Sequence, residues 1–151
     1  MNYSASIEIP ASRAKVFEWL RDSTRLRQWV PNLEEDELLH DAGGGGVGTR
    51  FRQVYVENGR RMEMEGEVVA FEQDRYLACD IHGKLFNLWV DYRLERANLG
   101  TRLTQTAKIT FNNFVLRLIG RLMAGAMRKK SAEQATTQLE KLRELIEAEG
   151  R

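Results

Sequence analysis

The chain has 151 residues, 42% of them apolar, which suffices for one domain with a substantial core, and no Pro/Ser-rich linker divides it. Basic and acidic residues nearly cancel, 23 against 22 for a net charge of +1, so there is no global electrostatic case for nucleic acid. Cys79 is the only cysteine, which excludes an intrachain disulfide and a thiolate zinc cluster. The amino terminus alternates instead of forming an apolar block, and no run of ~18 apolar residues could span a bilayer. The expectation is a single cytoplasmic domain over residues 1–151.

Tyr3 to Ile9 alternates, with Tyr3, Ala5, Ile7 and Ile9 on one side, as a half-buried strand would. Pro10 and Ala11 break it, Ser12 can cap a short helix through Val16, Phe17 and Leu20, and Ser23 can cap a second through Leu26, Trp29 and Val30, stopped by Pro31. From Leu33 to Thr110 the period changes to two, which points to an antiparallel meander whose weakest strand is Leu33 to Leu39. The tract Gly43 to Gly48 satisfies G-x-G-x-x-G. The residues after it read as strand and not as the helix a dinucleotide phosphate needs, so the tract is expected to be a flexible connection.

Thr49 to Glu57 and Arg60 to Phe71 flank Asn58-Gly59, a pair suited to a two-residue hairpin turn. In the second of these strands Met62, Met64, Gly66 and Val68 share one face, opposite Glu63, Glu65 and Glu67. Tyr76 to Gly83 and Phe86 to Glu95 form the next pair, with Phe86, Leu88, Val90, Tyr92 and Leu94 pointing inward. After the turn at Asn98-Leu99-Gly100, the strand from Thr101 to Phe111 turns Leu103, Gln105, Ala107, Ile109 and Phe111 inward.

Asn113 to Glu147 reads as one long helix, its stripe running through Val115, Leu118, Leu122, Ala126, Ala135, Leu139, Leu142 and Ile146. At ~1.5 Å per residue it would be roughly 50 Å long. Its first half is basic, with Arg117, Arg121, Arg128, Lys129 and Lys130, and carries Gly120 and Gly125, which suit close backbone packing against the sheet or a gentle bend on one reading and room for a ligand on the other.

This order, with IPASRAKVFEWLRD, LRQWVPNL, GTRFRQVY, NGRRMEMEGEVVAFE and a C-terminal amphipathic helix, resembles the START-related, polyketide-cyclase-like superfamily often called SRPBCC. The resemblance implies an α+β helix-grip fold: a curved antiparallel sheet of about six to seven strands around a long C-terminal helix, with two short helices after the first strand. It also implies an apolar cavity between sheet and helix that takes a hydrophobic small molecule such as a lipid, isoprenoid or polyketide, for binding or transport, and in some members an enzyme built around it.

The residues support a cavity independently. Phe51, Tyr55, Met62, Met64, Leu88, Val90, Tyr92 and Ile109 would supply apolar wall, and Gln53, Gln105 and the tyrosine hydroxyls would orient a ligand. Plain core packing is the competing reading for each. Trp29 at one end, and Phe111, Phe114, Leu118 and Leu122 at the strand-to-helix junction, complete the candidate ligand-binding set, with that junction as entrance.

No catalytic residue is assigned. The histidines, His40 and His82, lack metal-ligand spacing, and no Asp or Glu is expected on an inner face, so a cyclase- or dehydratase-like reaction would rest on Tyr55, Tyr92 or Gln105. No cofactor and no metal is expected. A third class is a membrane-surface or protein-interaction module using the basic, amphipathic half of the last helix, with transient contact to an anionic membrane. Monomer and homodimer both stay open.

Overall fold

The structure is a computed structural model and describes residues 1–150. In chain order the elements are β1 (Asn2–Ile9), α1 (Arg13–Arg21), α2 (Ser23–Trp29), β2 (Leu33–His40), β3 (Arg50–Glu57), β4 (Arg60–Glu72), β5 (Tyr76–Gly83), β6 (Phe86–Ala97), β7 (Gly100–Phe111), α3 (Phe114–Leu122) and α4 (Ala124–Glu149). The strands make one curved antiparallel sheet in the order β1-β7-β6-β5-β4-β3-β2, the helix-grip arrangement expected from the sequence. Neighbours in sequence are neighbours in space from β2 to β7, and α1 and α2 carry the chain from one sheet edge to the other.

Local chemistry explains the turns. Asn58 and Gly59 both have positive φ, 52° and 78°, the conformation that lets a two-residue loop match the twist of β3 and β4. The Ser12 side chain accepts from the Lys15 N–H at 3.2 Å and so starts α1. The cap of α2 is Asp22 and not Ser23: its Oδ1 accepts from the N–H groups of Thr24 and Arg25 at 2.9 and 3.1 Å, and Ser23 becomes the first helical residue.

The glycine tract is tied down, contrary to the flexible connection expected. Asp41 Oδ1 accepts from the N–H groups of Gly43 and Gly45 at 2.9 and 3.0 Å, and Arg21 donates to the Gly44 carbonyl. Three consecutive glycines with positive φ let the loop wrap that carboxylate.

The long helix is also two helices. α3 ends at Met123, whose N–H closes on the Ile119 carbonyl at 3.0 Å, and α4 starts there without a side-chain cap. Only α4 uses its stripe for burial: Ala135, Leu139, Leu142 and Ile146 are buried, whereas α3 buries no residue. Its Val115, Leu118 and Leu122, expected on the same buried stripe, are exposed. The core joins the α4 stripe to Val16, Phe17 and Leu20 of α1 and to inward residues of β1, β4, β5, β6 and β7.

Candidate functional site

Between the inner sheet face, α2 and α4 lies a cavity of about 1530 Å³. Strand alternation supplies its floor: Phe51, Gln53 and Tyr55 from β3, Met62 and Met64 from β4, Leu88, Val90 and Tyr92 from β6, and Gln105 and Ile109 from β7 all line it. β5 adds Leu77, Cys79 and Ile81, and β1 adds Tyr3. Trp29 closes one end, its indole N–H donating to the Trp19 carbonyl at 3.3 Å and its ring meeting Tyr92 edge to face at 6.3 Å.

The remaining candidates fall elsewhere. Phe111, Phe114, Leu118 and Leu122 are absent from the lining. Gly120 of α3 sits so close to Phe111 that an added Cβ would lie 2.9 Å from its ring, so this glycine serves close packing; a Cβ added at Gly125 would meet nothing. The residues expected to form an entrance at this junction are not among those that line the cavity. Its exposed lining residues include Arg21, Arg27, Asp41 and Gly44, and Lys130 and Lys141 of α4.

The chemistry of the walls is uneven. α4 turns its apolar stripe away and presents Gln134, Thr137, Gln138 and Lys141 to the cavity, so a polar wall faces an apolar floor. Burial raises the hydroxyl pKa of Tyr3, and raises those of Tyr55 and Tyr92 far more, which keeps all three phenols protonated and able to donate. The Cys79 thiol is pushed up to about 12, chiefly by desolvation, and so holds its proton. Gln105 is buried with no hydrogen-bond partner for its side-chain oxygen among the described residues, an acceptor left open.

Asp36 is the residue that strand parity missed. The register of β2 against β3 shifts at Glu34: Leu33 pairs with Tyr55, then Glu35 with Val54, Asp36 with Gln53 and Leu38 with Phe51. One extra residue reverses the parity, and Asp36 faces the cavity beside Leu33 and Leu38. The inner face therefore does carry an acid. Burial raises its pKa from the ordinary carboxyl value, opposed by the polar side chains of Ser23 and Gln53 and by the charge of Arg27. Tyr55 donates to Gln53 Oε1 at 2.8 Å, and Gln53 is the cross-strand neighbour of Asp36. The pattern Leu33-x-x-Asp36-x-Leu38, read as a bulge, was the available signal.

The histidines stay outside this constellation. His82 is exposed and lies 3.3 Å from the Asp80 carboxylate, and His40 is exposed at the end of β2. Among the described residues no group of three His, Cys, Asp or Glu side chains could hold a metal ion, and no helix is long and apolar enough to cross a membrane.

Comparison with known proteins adds a family to this geometry. The family described as polyketide cyclase / dehydrase and lipid transport matches residues 1–147. A structure from Thermus thermophilus superposes over 100% of both chains with a TM-score of 0.79 at 20% identity. A protein of unknown function from Staphylococcus aureus gives 0.76 at 16% identity, over 99% of this chain and 95% of the other. Ara h 8.0201 gives 0.67 at 14% identity, over 98% of each chain. At these identities the likeness is one of fold. A search of curated proteins returns no match.

Proposed function

Because the chain belongs to the polyketide cyclase / dehydrase and lipid transport family, we propose that it binds an amphipathic, largely apolar small molecule between sheet and α4, as a carrier or holder of a lipid, isoprenoid or polyketide. Family membership supports hydrophobic ligand binding in general. The observation that carries the finer reading is the cavity of about 1530 Å³ with an apolar, aromatic floor and a polar α4 wall, a shape that desolvates a hydrocarbon body while leaving partners for a few polar groups. Phe51, Tyr55, Met62, Met64, Leu88 and Val90 would contact the body, and Gln53, Tyr92 and Gln105 the polar groups. The reading includes a reducing, cytoplasmic setting, supported by the single buried Cys79.

Native mass spectrometry of freshly purified protein tests this directly. A complex heavier than the 17.4 kDa chain by the mass of one small molecule is expected, and it should be lost in Met64→Trp, which fills the cavity at a buried lining position. A bare chain in both proteins, together with no uptake of fatty acids, isoprenoids or aromatic polyketides, would refute it.

A second reading, a cyclase- or dehydratase-like enzyme, is favoured by one observation. Asp36 is a partly desolvated carboxyl at the cavity wall, across the β2–β3 ladder from Gln53, which accepts from the Tyr55 hydroxyl, and a carboxyl whose pKa is raised by burial is suited to general acid–base work. In that case Asp36→Asn would abolish turnover and retain binding; a variant that still turns over at the wild-type rate would remove Asp36 from the reaction.

A further inference from the structure

α3 is a helix whose most apolar side faces away from the protein. At about 100° per residue, Val115, Leu118, Ile119 and Leu122 fall within an arc of about 100°. Gly120, the position packed on Phe111, lies roughly 150° from the centre of that arc. Exposure follows the same geometry: Leu122 is 78% exposed and Val115 59%, while Phe114 beside the arc is 75% and Met123 just after the helix 53%. Six large apolar side chains along ten residues make a contiguous patch that a folded chain does not ordinarily leave in water.

The charges around the patch indicate what covers it. From Phe114 to Ala132 the chain carries Arg117, Arg121, Arg128, Lys129 and Lys130 and no acidic residue. Two copies of this chain meeting through the patch would bring ten cations together without a carboxylate from that stretch to offset them. An anionic surface reverses the sign of that interaction, and a helix of this build lies in the lipid interface with its apolar face down and its cations at headgroup level. The placement is also apt: Phe111, on which α3 sits, meets the ring of cavity-lining Phe86 at 6.3 Å, and the basic stretch ends at Lys130 on the cavity rim.

We propose that α3 and the basic start of α4 form a docking element for an anionic membrane surface, placing the cavity next to the bilayer. Apart from Lys130 at the rim, the residues named in the element lie outside the cavity lining, and the element does not depend on what occupies the cavity.

Co-sedimentation of the full chain with phosphatidylcholine vesicles containing about 30% phosphatidylglycerol tests this. Binding is expected at about 0.1 M salt, at least about tenfold stronger than to pure phosphatidylcholine, and weakened as salt is raised. Leu118→Gln with Leu122→Gln, and separately Arg121→Gln with Arg128→Gln, should each reduce vesicle binding about tenfold or more. Both pairs are at exposed positions, so the melting temperature should hold; if the leucine pair lowers it, the arginine pair decides. Equal binding to both vesicle types, or binding unchanged in the arginine pair, overturns the proposal. So does a wild-type dimer that the leucine pair converts to monomer, which would assign the patch to a second copy. Vesicle binding is read without cavity ligand, so its failure is distinct from failure of the cavity reading.

Discussion

Replacing Gly66 by alanine is expected to leave stability nearly unchanged while lowering ligand affinity, and the reason is the emptiness of the cavity. Gly66 lies on the inward face of β4 opposite Phe51 of β3. A Cβ built there would be 2.4 Å from Phe51 Cζ and 2.5 Å from Cε2, with Ile81 Cγ1 at 3.1 Å. Carbon atoms rest at about 3.5–4.0 Å, so the ring tip must move by roughly 1 Å or slightly more. Phe51 lines the cavity, so its ring can swing into free space instead of into packed neighbours. The swing costs about 0.5–1.5 kcal/mol of rotamer strain. Alanine returns about 0.5–1 kcal/mol relative to glycine in a strand interior. The net change in unfolding free energy is therefore within about 1 kcal/mol of zero. In a filled core the same methyl would act as overpacking and cost about 1–3 kcal/mol on top of the strain. Urea unfolding followed by tryptophan fluorescence reads the difference, with an unchanged m-value expected because the exposed surface is the same. A loss of more than about 2 kcal/mol would mean that the space beside Phe51 is occupied by protein, leaving no room there for a ligand.

Tyr92→Trp, which enlarges a lining residue next to Trp29, should abolish binding of a fatty-acid probe in isothermal titration while the protein stays folded; retained affinity would place the ligand elsewhere. Leu139→Ala, at a fully buried α4 position, should cost about 2–5 kcal/mol in chemical denaturation, and a cost below about 1 kcal/mol would contradict the assignment of α4 as the gripped helix. Asp36 has a folded-state pKa raised by burial, so its contribution to stability is complete below its unfolded pKa and is lost as pH rises through the folded one. Asp36→Asn, which keeps the neutral form, should gain stability relative to wild type as pH rises from below the ordinary Asp pKa; a difference that stays constant as pH rises would show that Asp36 is not desolvated.

Most of the fold was legible because its determinants are local. Alternation in Met62, Met64, Gly66 and Val68 is enforced by a period of two, and Asn58-Gly59 selects its turn through the backbone alone. The stripe Ala135, Leu139, Leu142 and Ile146 is buried as its spacing implies. The failures share a different cause. The stripe through Val115, Leu118 and Leu122 has the same helical spacing, but spacing says only that a face is apolar and not that the protein covers it. The break at Met123 falls between Gly120 and Gly125, which permit a bend without saying that one occurs. Ser23 and Asp22 are both good caps, and the helix takes Asp22, whose carboxylate reaches the N–H groups of both Thr24 and Arg25. Asp36 stayed hidden because, in a strand reading Leu-Glu-Glu-Asp-Glu-Leu-Leu-His, its spacing from Leu33 turns it inward only once a bulge is assumed.

That strand has a further consequence. β2 is the last strand of an open sheet, paired only on its β3 side, so its other side offers backbone donors and acceptors to any extended chain it meets. Three devices blunt it at once: four consecutive acids from Glu34 to Glu37, a bulge that breaks the ladder at Glu34, and a carboxyl turned inward at Asp36. The residue that puts an acid on the inner face of the sheet thus also guards against fibrous aggregation. Replacing it by leucine to make a greasier pocket would leave a flatter, less charged edge and a chain more prone to pair with its own copies.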